Sequence, residues 1–307
     1  MPKVSIGLPV YNAEAYLTEA LTSLQEQSVD DIEIIISDNA STDHTAEICR
    51  HACQQDPRIR YHRNVSNIGA ARNFNRTFSL SSGPLFHCAA YDDVYDCRFI
   101  ERCVDVLDAE AGLVVCHATA RIVGERGEPL WYDEQIDRFV DSYGDLIKGP
   151  DPADIGAAKQ VSTRFRQVLM SAWCLPLLGV IRRSALLQTP LCGSYYGSDK
   201  VLLAHLALLG RFHQLPEQLI DKRVHRGCTF YMTTQDYASH DNPEQKVMAQ
   251  VQMLSDYLKQ IALVQLHPQE RLGCLLALGR FSMRKHVWRK LLAPARNSYF
   301  GWSPKPS

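Results

Sequence analysis

Asp92 and Asp93 stand side by side after the largely apolar run 84–91. Adjacent carboxylates at the end of a strand commonly hold Mg2+ or Mn2+ beside a phosphate group. Two further polar clusters follow apolar runs in the same way, Pro9-Val10-Tyr11-Asn12 and Asp38-Asn39-Ala40-Ser41. Later the chain offers Asp199, just ahead of the apolar stretch 201–209, and the compact cationic cluster Arg223-Val224-His225-Arg226. Asp199 sits where a helix cap or first-turn acid belongs, so capping accounts for it without any chemistry. The ten cysteines are scattered singly with no CxxC pair, and Cys49 and Cys53, four apart on an expected helix, fall short of a zinc site. They read as small buried apolar residues.

The elements that must position these side chains are legible from hydrophobic periodicity. Residues 4–10 read as a strand, 13–27 as a helix carrying Ala13, Tyr16, Leu17, Ala20, Leu21 and Leu24, and 32–38 as a buried β-branched strand. A helix over 43–54 with cap candidates Ser41, Thr42 and Asp43, a strand over 59–62, a loop over 64–69, a helix bearing Phe74 and Phe78, and a strand over 84–91 follow. Strands alternating with helices predict a mostly parallel sheet with helices on both faces. Ligands of such sheets bind outside the carboxyl ends of the strands, which selects the three polar clusters named above. Neither GxGxxG nor a Walker phosphate loop follows the first strand, so dinucleotide and P-loop chemistry are excluded. Beyond residue 96 the pattern gives a helix over 97–109, a strand over 113–123 and a long polar loop over 124–159 with Trp131, Tyr132 and Tyr143. A helix over 161–172, a strand over 177–182, a helix over 201–209, and a pair of strands around Phe212 and Leu219-Ile220 complete it.

With 307 residues, 46% hydrophobic and 22% charged, the chain can bury one large core or two modest ones. Thirty-three basic and 34 acidic residues leave a net charge of −1, so no chain-wide polycation exists and no nucleic-acid partner is expected. No apolar run reaches membrane-spanning length and the start, Met1-Pro2-Lys3-Val4, lacks the build of a signal peptide, which makes the cytoplasm the expected location.

Four segments together resemble the family 2 glycosyltransferases: Val4-Ser5-Ile6-Gly7-Leu8-Pro9-Val10-Tyr11-Asn12, Ile35-Ile36-Ser37-Asp38-Asn39-Ala40-Ser41-Thr42-Asp43, Asn67-Ile68-Gly69-Ala70-Ala71-Arg72-Asn73 and Ala90-Tyr91-Asp92-Asp93. The resemblance implies a GT-A fold, a mostly parallel twisted sheet flanked by helices and ending here in a helical C-terminal tail. It implies a nucleotide-sugar donor with UDP-sugar foremost, a Mn2+ or Mg2+ cofactor, inversion at the anomeric carbon, and a glycan or lipid-linked acceptor. It divides the chain into a nucleotide-sugar-binding part over 1–95, an acceptor-binding and catalytic part of the same unit over 96–235, and a C-terminal extension over 236–307. By correspondence Pro9 and Tyr11 cradle the base beside Asn12, Asp38 accepts the uracil imide N–H, and Asn67 and Arg72 approach base or ribose. An Asx turn at Asp38 can hold alongside that role, and a surface ion pair is the structural alternative at Arg72. Asp93 corresponds to the metal ligand and Asp92 to a contact with ribose or with metal-bound water. Family members often carry one more acid where this chain has Ala90. Asp199 corresponds to the general base that takes the acceptor proton, ahead of Asp154 or Asp221. Arg223 and His225 correspond to a basic segment over the diphosphate, with His225 either a metal ligand or an exposed turn residue. A nucleotidyltransferase, or a catalytically silent glycan- or nucleotide-binding module, is the alternative.

Charge is unevenly spread. Residues 267–307 hold eight Lys or Arg against one acid, a net +7, which leaves residues 1–266 at −8. Leu272, Leu275, Leu276, Phe281, Trp288, Leu291 and Leu292 recur near helical spacing among those cations. A basic helix of this kind lies on anionic lipid, or else packs on the catalytic part or on a second copy as a homodimer contact.

Overall fold

In a computed structural model of the chain, residues 1–150, 152–171, 173–228 and 249–283 are described. The first ninety residues build the expected alternation: β1 (Val4–Val10), α1 (Leu17–Gln25), β2 (Ile32–Asp38), α2 (Thr45–Gln55), β3 (Ile59–Arg63), α3 (Ala70–Leu80) and β4 (Leu85–Cys88). Next come β5 (Val94–Tyr95), α4 (Phe99–Ala109), β6 (Leu113–Val123), β7 (Trp131–Asp133), β8 (Arg138–Val140), β9 (Leu146–Lys148) and α5 (Val161–Met170). A 3-10 turn (Leu175–Leu178), β10 (Val180–Arg182), α6 (Arg183–Leu186), α7 (Ser198–Leu209), β11 (Arg211–Arg223), α8 (Ala249–Leu263) and α9 (Pro268–Ser282) follow.

Eight strands form one sheet in the order β3-β2-β1-β4-β10-β6-β11-β5. Strands β1 to β4 are parallel neighbours, β10 enters antiparallel between β4 and β6, and β11 runs parallel to β6. The sheet is curled around two apolar cores. Val4, Ile6, Leu8 and Val10 with Ile32, Ile34 and Ile36 fill one side under α1, α2 and α4. Phe74, Phe78, Phe86, Phe165 and the apolar side chains of α7, α8 and α9 fill the other. Each fully buried aliphatic side chain is worth about 1.5–3 kcal/mol of transfer free energy, so these cores fix where the strand ends lie. Gly7 lets α3 approach β1, because a Cβ there would stand 2.5 Å from the Thr77 hydroxyl and 2.7 Å from the Phe86 ring. Helices α8 and α9 share the second core with α5 and α7, so the described part of the C-terminal extension is built into the body of the molecule. No helix among the described residues is long and apolar enough to cross a membrane.

Three expectations are corrected. The stretch 124–159 contains a small antiparallel sheet, β7-β8-β9. Residues 177–182 divide into the end of a 3-10 turn and the short β10. The expected strand pair around Phe212 and Leu219-Ile220 is the single strand β11, whose register against β6 shifts around Pro216. Proline has no N–H to give a ladder, and a bulge absorbs it without ending the strand.

Candidate functional site

Register brings the polar clusters to one edge of the sheet. Val10 pairs with Asp38 at the ends of β1 and β2, and Val123 pairs with Arg223 at the ends of β6 and β11. Antiparallel β5 lies against β11 with Val94 opposite Asp221, which sets Asp92 and Asp93 beside Lys222, Arg223 and His225.

Within that knot the two acids have different surroundings. Asp93 is fully buried, accepts hydrogen bonds from Lys222 Nζ at 3.0 and 3.1 Å, and accepts another from the Arg223 backbone N–H at 3.0 Å. Burial pushes its carboxyl up to about 6 even though Lys222 pulls the other way. Lys222 is raised above its ordinary value because Asp93 and Asp92 outweigh its own burial, so Asp93 is the member of the pair that can take a proton. Asp92 faces His225, with Oδ2 2.9 Å from Nε2. Burial works to raise the Asp92 carboxyl, but the Lys222 ammonium and the His225 hydrogen bond outweigh it and hold it below the usual range. The Gly227 N–H donates to His225 Nδ1 at 3.2 Å, which leaves the ring proton on Nε2 facing Asp92, the proton that a cation bound between the two would displace. The imidazole also packs against the Tyr16 ring with centroids 4.7 Å apart.

The two acids, which the resemblance assigns to metal and to ribose, are packed differently. Asp93, expected as the metal ligand, is committed to Lys222 and to the backbone of β11. Asp92, expected at ribose, is the acid paired with imidazole, and a carboxylate oxygen and an imidazole nitrogen together suit Mn2+ or Mg2+ completed by phosphate oxygens and water. Among the described residues no group of three or more His, Cys, Asp or Glu converges, so a metal here would have a thin protein shell.

Arg223, expected at the diphosphate, stands as a pillar within the protein. It is 3% exposed. Its donors reach the Asp92 carbonyl at 2.9 Å, the Glu125 carbonyl at 2.8 Å and Glu19 Oε2 at 2.6 Å, and the guanidinium lies 5.0 Å from the centre of the Tyr16 ring. Asp38, expected at the uracil imide, is wholly buried, with Oδ1 accepting the Ser41 N–H at 2.8 Å and Oδ2 accepting the Tyr61 hydroxyl at 2.6 Å. Burial and Asp38 push the Tyr61 phenol up to about 12, so that bond keeps its proton.

Around Asp38 the other expected residues form the rim. Pro9 and Tyr11 are half-buried where β1 ends. Asn12, at φ 48°, accepts the Thr42 N–H at 2.9 Å, and Asn67 accepts from Asn39 Nδ2 at 2.7 Å and from the Gly69 N–H at 2.9 Å. Arg72 is exposed on the first turn of α3. Sequence reasoning missed the carboxamide lattice that holds this rim. Asn73 joins the Ser37 hydroxyl and carbonyl to Asn64, and Asn39 joins Asn64 to the Ile68 N–H. It also missed Lys222, although its place beside Arg223-x-His225 was a signal.

Asp199 stands apart from this lattice. It lies half-buried in the first turn of α7, after Gly197 at φ 89°, a conformation that favours glycine. Its charge is felt by Tyr195, Tyr196 and Tyr257, yet among the described residues its carboxylate accepts no hydrogen bond and forms no ion pair. Asp221, one rival for its role, is held by Arg121 at 2.8 Å, and Asp154, the other, is exposed in a loop.

Comparison with known proteins matches this arrangement to a family. The family profile described as glycosyl transferase family 2 fits residues 5–157, about half of the chain. An uncharacterized glycosyltransferase of Nostoc sp. is 26% identical over 262 residues, which cover 83% of this chain and 74% of the relative. Among solved structures, Staphylococcus aureus TarS 1–349 in complex with UDP superposes with a TM-score of 0.65 at 15% identity, covering 95% of this chain and 76% of that one. The mannosyltransferase PcManGT of Pyrobaculum calidifontis in complex with GDP-Man and Mn2+ gives 0.58 at 16% identity, covering 94% and 72%. The fold is thus of the GT-A type and the protein is a glycosyltransferase. The chain belongs to glycosyl transferase family 2, whose members draw on nucleotide-sugar donors.

Proposed function

We propose that the chain catalyses metal-dependent, inverting transfer of a sugar from a UDP-sugar to a hydroxyl of a glycan or lipid-linked acceptor. The observation that carries this reading is the Asp92–His225 pair at 2.9 Å, set at the carboxyl edge of the sheet with the base-side rim of Pro9, Tyr11, Asn67 and Arg72 along the same edge. Asp92 and His225 are the residues that would hold the cation, and the cation would supply positive charge to the diphosphate as it departs. TarS is seen with UDP and PcManGT with GDP-Man and Mn2+, which supports a nucleotide diphosphate and a divalent ion at this edge.

The protein's own groups do the rest. Asp199 takes the acceptor O–H proton as the oxygen attacks the anomeric carbon, the bond from that carbon to the diphosphate breaks with its electron pair on oxygen, and a single displacement inverts the centre. Lys222 holds Asp93 in place, which keeps the loop from Ala90 to Asp93 and the end of β11 in register. Tyr16 packs against one side of the imidazole and holds its orientation.

Calorimetry of UDP and GDP, each with and without Mn2+, tests this on the wild type and on Asp92→Ala. UDP binding strengthened by Mn2+ in the wild type and indifferent to it in the variant is the expected result. Metal coupling that survives in Asp92→Ala overturns the assignment of the cation, and tighter binding of GDP overturns that of the base.

A further inference from the structure

Between α5 and α9 lies an open cleft of about 400 Å³ that the transfer reaction, as described above, does not use. Its floor is apolar, with Ile155 and Ala277 each 5% exposed and Met170 half-buried beside them. Arg166 on α5 and Arg280 on α9 stand exposed on its two helical walls. No Asp or Glu lines the cleft, and among the described residues neither guanidinium has a hydrogen bond or ion pair. Glu270, the acid at the other end of α9, is spent on the Ser162 N–H at 2.8 Å. Both helices end near the cleft, and each carbonyl end holds about half a negative charge, so two guanidiniums leave it positive.

The walls are held before any ligand arrives. Gly273 lets α9 approach α5, because a Cβ there would stand 2.6 Å from the Ser162 Cβ, and Glu270 caps the first turn of α5. The cleft is also tied to the helix of Asp199 at two points. Buried Arg164 of α5 donates to the Ala207 carbonyl near the end of α7. Lys200, next to Asp199, donates at 2.6 Å to the carbonyl of Ser171, which lines the cleft. Guanidiniums pair in bidentate fashion with phosphate oxygens, and an apolar floor rewards hydrocarbon. Together they suit one ligand chemistry, a phosphate ester whose remaining part is apolar.

We propose that this cleft binds the phosphate or diphosphate group of an amphiphilic acceptor. Arg166 and Arg280 meet the phosphate oxygens, and the hydrocarbon lies over Ile155, Met170 and Ala277. The ties through Arg164 and Lys200 then hold that acceptor at a fixed relation to the first turn of α7 and Asp199. As an acceptor site the cleft rests on the transfer reading above and chooses the lipid-linked acceptor from its two. As a site for an anionic amphiphile it stands without that reading.

Calorimetric titration of the full chain tests it, in EDTA and without nucleotide, with geranyl diphosphate, inorganic pyrophosphate and geraniol as probes. Arg166→Gln/Arg280→Gln is compared with the wild type, with Asp92→Ala, and with Arg50→Gln/Arg76→Gln, which removes the same charge elsewhere. All four arginines are exposed, so circular dichroism and melting temperature should be unchanged. Geranyl diphosphate should bind the wild type about tenfold more tightly than pyrophosphate does, and geraniol should show no binding. The cleft pair should weaken geranyl diphosphate about a hundredfold, and the other two variants should stay within about threefold. No binding to the wild type, undiminished binding to the cleft pair, or a larger change in Asp92→Ala than in the cleft pair overturns the site. Pyrophosphate as tight as geranyl diphosphate overturns the amphiphile. Because neither metal nor nucleotide is present, failure of the metal-dependent transfer reading would leave these titrations as they are.

Discussion

The two halves of the site edge are built on opposite principles. On the side of β1 and β2 the polar side chains that meet the edge answer one another: Asp38 with Ser41 and Tyr61, Asn39 with Asn64 and Asn67, Asn73 with Ser37, and beyond them Asp93 with Lys222. On the side of α7, Asp199 is left without a hydrogen-bond or ion-pair partner among the described residues. A closed lattice gives rigidity and a fixed shape, as binding a constant donor requires, because a partly satisfied buried network costs more than it gives. A carboxylate without a partner is available to a proton that arrives with a second substrate. The contrast teaches where to look for constancy and where for choice.

The contrast breaks most visibly at Asp92. Replacing it with Asn should lower kcat/KM by about a thousandfold at saturating Mn2+ while thermal stability changes little, measured as transfer of labelled sugar, since the loss falls on charge developing in the transition state. Asp199→Asn should lower kcat by about a hundredfold or more and leave donor affinity within threefold, because a base acts only once an acceptor is present. A donor affinity that collapsed in Asp199→Asn would erase the separation of the two halves. Next in size is Asn73→Ala, which strands Ser37 and Asn64 in the lattice and should cost about 2 kcal/mol of unfolding free energy by urea titration, against a few tenths for Arg72→Ala on the exposed rim.

The smallest effect belongs to pH and lies behind the α7 half. His205 in α7 is buried in apolar surroundings that push its imidazole down to about 4. Its folded value lies below its unfolded one, so the unfolded chain binds the extra proton and stability falls as pH drops from about 6.5 toward 4, at up to ~1.4 kcal/mol per pH unit from this group. His205→Leu should therefore raise the melting temperature more at pH 5.5 than at pH 7.5. An equal shift at both values would mean the imidazole is not neutral in the folded state.

Much of the frame was legible before the fold was known. Alternating Val4, Ile6, Leu8 and Ile32, Ile34, Ile36 identified β1 and β2, and the strand-end rule then pointed to Tyr11, Asp38 and Asp92. Depth was not legible. Asp38, Asp93 and Arg223 carry the residue types of a binding site, and only the packing of β3, β5 and β11 against them shows that their polar atoms are consumed internally. Pro216 hid the continuity of β11 because a proline reads as a break, and the three short strands from Trp131 to Lys148 were too brief and too polar to announce themselves.

The irregular register of β11 around Pro216 also has a genetic meaning. Strand side chains alternate between faces, so the number of residues between Leu215 and Ile220 determines which of Lys222 and Arg223 turns toward Asp93. Deleting a single residue from that bulge would leave every functional side chain intact and yet bring Arg223 to the place where Lys222 meets Asp93 and Val224 to the place where Arg223 meets Glu19. In this enzyme a change of length far from the chemistry is equivalent to a charge substitution within it, and an alignment that scores only residue identity would miss it.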